Sequence, residues 1–390
     1  MIGLLIFGAS NTLVGKLMSR TQSIGHTFAH PYFLTATMFI GEFFCLIFFC
    51  LYAKVFKKAS LKFNTPTQPK PGPKTCREKM GIFVFAIPSF LDLCTACLLY
   101  TGLILIAPSV YQMMKGFLVI VVSIYSIVFL KLKLFRHQVV GVVLILIGVI
   151  IVGSISITNV APSAKNLGLG IVLLIIAQLF AGGNFVTEQL YLKDIKVHPL
   201  QVVGIEGLAG MVYFLVLLPL LNLIPCEHPD LFNGGSVENS IEALRQIENS
   251  LVIFLCVLGF MFGITFYYFT GVTVTKKAGA LARSTVETCR ALIIWIISIL
   301  IGWEIFIPPQ LVGFCFIVAG TAINNEVLKI SYFGLKKSIE DRREYMEIRK
   351  VSKHNNETSD NDAIQGLHRN GNYPGIACGA FQSRVSVEIK

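Results

Sequence analysis

Five ionisable side chains lie deep inside long apolar runs of this sequence: Glu42, Asp92, Lys115, Glu287 and Arg290. A charge at the centre of a membrane helix costs about 2.5 to 3.5 kcal/mol on insertion scales, so each of them needs a partner or a ligand. Arg283, Glu287 and Arg290 are spaced i, i+4, i+7 and share one helix face, which is expected to look into a bundle rather than at lipid. Lys115 joins them, giving three cations against one carboxylate. That surplus calls for further carboxylates or for an anionic solute, with Lys115 and Arg290 as the ligand candidates. Glu287 and Arg283 fit an internal ion-pair network equally well. Glu42 and Asp92 read as coupling sites for a proton or cation, or as carboxylates paired with Lys115 or Arg290. Lys16, Glu188, Glu206 and Arg283 lie nearer helix ends and are expected to reach the interface.

No arrangement for catalysis competes with this reading. The sequence has no Walker loop, no His-Glu-x-x-His and no Gly-x-Ser-x-Gly, which points to a transporter rather than an enzyme, with no cofactor and no metal expected. Cys94 and Cys97 form a CxxC within a membrane helix and lack a second ligand pair, so they are read as packing residues.

The elements that carry these residues are set by hydropathy. Hydrophobic residues make up 54% of the 390 and charged residues 14%, against roughly a quarter charged in soluble domains; the mean hydropathy is +0.70. About 20 apolar residues span a bilayer. Ten such runs occur, at 1–18, 32–56, 81–105, 108–130, 138–157, 167–192, 200–224, 251–274, 280–302 and 309–330. In lipid each must be helical, and the first reads as a membrane helix rather than a signal peptide because it has no basic leader.

The net charge of +11 does not imply nucleic acid, because the basic residues are not gathered on a folded surface. They concentrate in the loops 57–80, 131–137, 193–199 and 275–279 and in the tail, whereas the alternate loops hold Arg20, Lys165 and Arg245 and include the acidic stretch 225–250. The lipid bilayer is the partner this implies, with both termini cytoplasmic.

A self-comparison aligns QVVGVVLILIG at 138–148 with QLVGFCFIVAG at 310–320, both Q-x-V-G-x6-G. Tyr100-Thr101-Gly102 likewise answers to Phe269-Thr270-Gly271, and Lys115 to Glu287. Spans three to five thus repeat as spans eight to ten. Each half holds an odd number of spans, so the second is inverted relative to the first. The expected fold is an all-α polytopic membrane protein of ten transmembrane helices in two inverted five-helix repeats, 1–157 and 167–330, followed by a disordered cytoplasmic tail, 331–390. Such repeats build secondary transporters whose solute site lies near the midplane.

Several stretches together resemble solute carrier family 35 within the drug/metabolite transporter superfamily, and its F subfamily in particular. They are Ser10-Asn11-Thr12-Leu13, His30-Pro31, Gly41-Glu42-Phe43, Tyr111-Gln112-Met113 with Lys115-Gly116, Val197-His198-Pro199-Leu200, Glu206-Gly207, Arg290 with Trp295, Gly302-Trp303-Glu304 and Gly320-Thr321-Ala322. They add Asn11 and Gln112 to Lys115, Glu287 and Arg290 as candidate residues for binding a small-molecule solute. The resemblance implies the ten-helix fold, an endomembrane location in lysosome or Golgi, an association with mitochondria, and a membrane partner protein, adenine nucleotide translocase. A homodimer is left open. The family usually has Arg where Lys115 stands, which keeps charge but loses bidentate phosphate recognition. Residue 1 falls inside the first helix that the resemblance implies, so a longer natural N-terminus is expected. Nucleotide sugars are substrates of other branches, which leaves a nucleotide-sugar antiporter and a non-transporting adaptor as alternative readings. In the tail, Tyr345 and Ile348 form a Tyr-x-x-apolar sorting signal if the segment is extended.

Overall fold

The computed structural model describes residues 1–23, 25–28, 30–55, 81–106, 111, 114–158, 167–195, 197–225, 236–302, 308–324, 326 and 334–345. Its helices are α1 (Ile2–Arg20), α2 (Pro31–Val55), α3 (Ala86–Leu105), α4 (Phe117–Val128), α5 (Arg136–Thr158), α6 (Leu167–Asp194), α7 (Pro199–Leu223), α8 (Ser240–Asn249), α9 (Leu251–Ala278), α10 (Ala280–Leu300) and α11 (Pro308–Asn324). A two-stranded ribbon, Gln22–Ser23 with His26–Thr27, links α1 to α2.

Among the described residues six helical stretches are long and apolar enough to cross a membrane, within α2, α3 with the 3₁₀ turn before it, α5, α6, α7 and α9. The apolar stretches of α1, α4 and α11 are shorter, and α10 is interrupted by Arg283, Glu287 and Arg290. The burial pattern is that of a polytopic α-helical membrane protein. Leu215, Leu223, Leu251 and Leu300 are among the exposed large apolar side chains, while Thr35, His137, Gln138, Gln178, Ser284 and Thr285 are buried. Water would reverse that arrangement, whereas lipid permits it.

Two His-Pro dipeptides open corresponding helices. At α7, Pro199 occupies the first turn and His198 Nδ1 accepts from the Leu200 amide at 3.3 Å, a position where the missing proline N–H costs nothing. At α2, the cap comes from far along the chain: Glu238 accepts from the Tyr32 and Phe33 amides at 3.0 and 3.2 Å and meets His30 Nδ1 at 2.7 Å. A carboxylate at a helix N-terminus satisfies free amides and the helix dipole together. It also ties the segment before α8 to α2.

The strongest packing pairs are α5 with α11, α3 with α6, α2 with α7 and α1 with α9; α4 and α10 pack against each other, α4 also against α6 and α10 also against α1. The α5–α11 contact explains the repeated motif. A Cβ on Gly141 would stand 2.7 Å from the Gly320 carbonyl oxygen, and one on Gly148 would stand 2.6 Å from that of Gly313. Each motif therefore presents its first glycine to the second glycine of the other, and only glycine allows this approach.

One expectation changes. The fourth run, expected from 108, lies outside the described residues at 107–110 and 112–113; Tyr111 and Met114 are helical, and after a turn at Lys115-Gly116 the helix resumes at Phe117. The tail was expected to lack regular structure, yet 335–345 is helical, with Leu335, Ser338 and Ile339 buried and Ser338 Oγ 2.9 Å from His137 Nδ1. Leu335 and Ile339 are one turn apart and give the segment an apolar stripe. Tyr345 is helical rather than extended, and Ile348, with the rest of 346–390, is outside the described residues.

Candidate functional site

Two charged clusters occupy the interior. In the first, Arg290 on α10 bridges Glu287 one turn earlier, Nη2 to Oε2, at 2.7 Å. The Tyr267 hydroxyl on α9 donates to Glu287 Oε1 at 2.7 Å, and the Arg290 guanidinium lies 4.9 Å from the Tyr267 ring centre. Gly8 of α1 makes the space: a Cβ there would come within 2.5 Å of Arg290 Nη1. Asn11, one turn on, is buried against Gly263, and among the described residues its Oδ1 has no hydrogen-bond partner. Lys115 is buried at the turn before α4 with its Nζ 4.5 Å over the Tyr111 ring, within electrostatic reach of Arg290 and Glu287.

The second cluster lies toward the start of α10. Arg283, 1% exposed, donates from Nη1 to Glu188 Oε2 of α6 at 2.6 Å and to Thr275 Oγ1 at 3.3 Å, and stacks 4.0 Å over Phe185. Asp92 of α3 accepts from the Tyr268 hydroxyl at 2.7 Å and from Asn184 Nδ2 at 3.2 Å. Glu42 and Glu206 are buried where α2 crosses α7, in contact over Gly204, Gly207 and Gly210.

The structure thus brings Asn11, Lys115, Glu287 and Arg290 toward one region, while Gln112 lies outside the described residues. Lys115 and Glu287, the mates of the repeat, make no ion pair; Glu287 is taken by Arg290. Arg283 and Glu287 do not pair either, since Arg283 turns to Glu188. The expectation that Glu188, Glu206 and Arg283 reach the interface is corrected: they are 1%, 6% and 1% exposed, because helix crossings enclose them. Lys16 is half-buried and donates to Ser298 Oγ at 3.3 Å. The sequence reading missed Tyr267, Tyr268, Tyr111 and Asn184. The signal was present, since adjacent tyrosines and an asparagine inside apolar runs need buried partners.

The arrangement sets two cations, Lys115 and Arg290, against one carboxylate in the first cluster, and four carboxylates near one guanidinium in the second. No family model matches the chain. Solute carrier family 35 member F6 of Mus musculus is 31% identical over 334 residues, covering 83% of this chain and 86% of its own. The Homo sapiens protein of that name is 30% identical over the same shares. An uncharacterised protein of Schizosaccharomyces pombe is 28% identical over 257 residues, 63% of this chain and 74% of that one. A solved crystal structure shares the fold with a TM-score of 0.53 at 14% identity, over 84% of this chain and 95% of the other.

Proposed function

The chain belongs to solute carrier family 35, beside member F6, and on that premise we propose that it is a secondary carrier moving a small organic anion across an intracellular membrane by alternating access. The observation that carries the charge preference is Lys115: it is buried within electrostatic reach of Arg290, and among the described residues its partner is an aromatic ring rather than a carboxylate. Arg290 already neutralises Glu287. An anion entering between Lys115 and Arg290 would supply the missing negative charge and use a guanidinium suited to carboxylate or phosphate.

The helix pairings support ten spans in two inverted halves. Take α1 to α5 as one half and α6, α7, α9, α10 and α11 as the other, and exchange them in order. The α3–α6 pair becomes α9–α1, α4–α6 becomes α10–α1, and α2–α7, α4–α10 and α5–α11 map onto themselves. Such a pseudo-two-fold arrangement lets one half rock against the other about a central site.

Reconstitution into liposomes tests the reading. Uptake of a labelled organic-anion panel is expected to show at least one flux that Arg290→Ala and Lys115→Ala abolish. A flux indifferent to both substitutions, or no flux across the panel, removes the proposal. Orientation is tested with Glu242→Cys, expected to be shielded from an impermeant thiol reagent on the cytoplasmic side while Cys76 reacts.

A further inference from the structure

Glu42, Asp92, Glu188 and Glu206 act on one another as like charges, and Arg283 is the cation that acts on all four. Four carboxyl groups thus stand against one guanidinium in this part of the bundle. Arg283 is committed to Glu188, and Asp92 is held by two neutral donors, Tyr268 and Asn184. Glu42 and Glu206 sit at the α2–α7 contact within electrostatic reach of these groups, with the Cys45 thiol one turn from Glu42 and acted on by it.

Beside the carboxylates, the Asn184 amide points to a ligand. Its Nδ2 is fixed on Asp92, and its Oδ1 is buried with no hydrogen-bond partner among the described residues. Among the described residues Glu42 Oε1 and Glu206 Oε1 are likewise buried acceptors without donors. A set of acceptors with nothing to donate to them costs desolvation without return, and an added positive charge relieves every member. Among the described residues no three carboxylate, imidazole or thiol side chains converge as metal ligands do.

We propose that this cluster is a proton-binding site centred on Glu42 and Glu206, and that its protonation is coupled to solute movement. The proton adds to a carboxylate oxygen, which becomes an O–H donor for a neighbouring unpartnered oxygen, and leaves to water when the site opens on the other side. No other bond is made or broken. The path to the solute site is short: Tyr268 donates to Asp92 and its neighbour Tyr267 donates to Glu287, with the two rings 5.1 Å apart and edge to face. Arg283 and Arg290, two turns apart on α10, join the clusters a second time. The coupling half of this proposal rests on the transport reading; the proton site does not.

The test uses the full chain in liposomes without solute. An infrared difference spectrum across a pH jump is expected to show a protonated-carboxyl band that Glu42→Gln and Glu206→Gln each diminish. Heavy-carbon labelling of glutamate carboxyls in the unmutated chain keeps the test open if a variant does not fold, since the band must then shift. A band that ignores both substitutions and the label overturns the proton site, as does solute accumulation driven by sodium at equal pH with no such band. A titrating band without flux for any solute leaves the proton site standing and defeats the transport reading. Flux that is identical with and without a pH gradient, in a protein that shows the band, overturns the coupling.

Discussion

Arg283 and Arg290 are built into α10 by the same device and end in opposite charge surroundings. Each bridges a glutamate, at 2.6 and 2.7 Å, each lies over an aromatic ring, at 4.0 and 4.9 Å, and each fills space that a glycine leaves, Gly271 and Gly8. Around Arg283 the carboxylates outnumber the cation. Around Arg290 a second cation, Lys115, outnumbers the carboxylate. On the proposed reading the pair itself is scaffolding, and the unbalanced neighbour sets what each region takes up: positive charge beside Arg283, negative charge beside Arg290.

The largest effect expected from breaking this comparison is Arg283→Ala. It strands Glu188 in a buried site and should cost about 3–5 kcal/mol, read as a lowered unfolding temperature of the purified protein. The double variant Arg283→Ala with Glu188→Ala should recover part of the loss, and no recovery would show that Arg283 acts through packing on Phe185 alone. Next in size is Arg290→Ala, which should abolish solute flux while lowering stability less than Arg283→Ala does. Arg290→Lys should retain partial flux, because charge survives while the fork geometry does not. If Arg290→Ala is the less stable of the two and still transports, the roles assigned to the regions are exchanged.

Smaller effects sharpen the same contrast. Tyr267→Phe and Tyr268→Phe each delete one hydroxyl bond to a carboxylate, worth about 1.5–3 kcal/mol for a charged acceptor. Tyr267→Phe should weaken the apparent affinity for solute, and Tyr268→Phe should move the pH dependence of flux; uptake curves at several pH values separate them. Smallest in stability is Gly8→Ala. The added methyl meets Arg290 at Nη1 and Cδ, at 2.5 and 2.6 Å, and the Tyr267 ring at 3.1 Å, so these side chains shift and the fold persists, with flux reduced. Unchanged flux would mean that Arg290 need not stay where α1 now allows it.

Much of this was legible in the sequence, and for identifiable reasons. The run 167–192 became Leu167–Asp194 and 200–224 became Pro199–Leu223, because hydropathy reports directly on what lipid accepts. Arg290 and Glu287 stood out by depth alone. What hydropathy could not supply was partner choice. Glu188 looked like a residue near a helix end until α10 was seen to deliver Arg283 to it across 95 positions of sequence. Lys115 and Glu287 share a place in the repeat, but Glu287 had a nearer guanidinium on its own helix. The helical segment 335–345 escaped notice because its apolar stripe rests on Leu335 and Ile339 within an otherwise charged stretch.

The glycine contacts between α5 and α11 carry a mechanical consequence. Two points of backbone contact seven residues apart stand about 10.5 Å apart along the helix axis at 1.5 Å per residue. One point would leave the helices free to swivel, and a seam of side chains would let them ratchet by repacking. Two glycine points with carbonyl oxygens pressed against them do neither: sliding by one turn would drive Leu144 or Phe316 against a facing backbone. The pair is a fixed rail within the molecule, and under the proposed alternating access any displacement has to be taken up by the remaining helices.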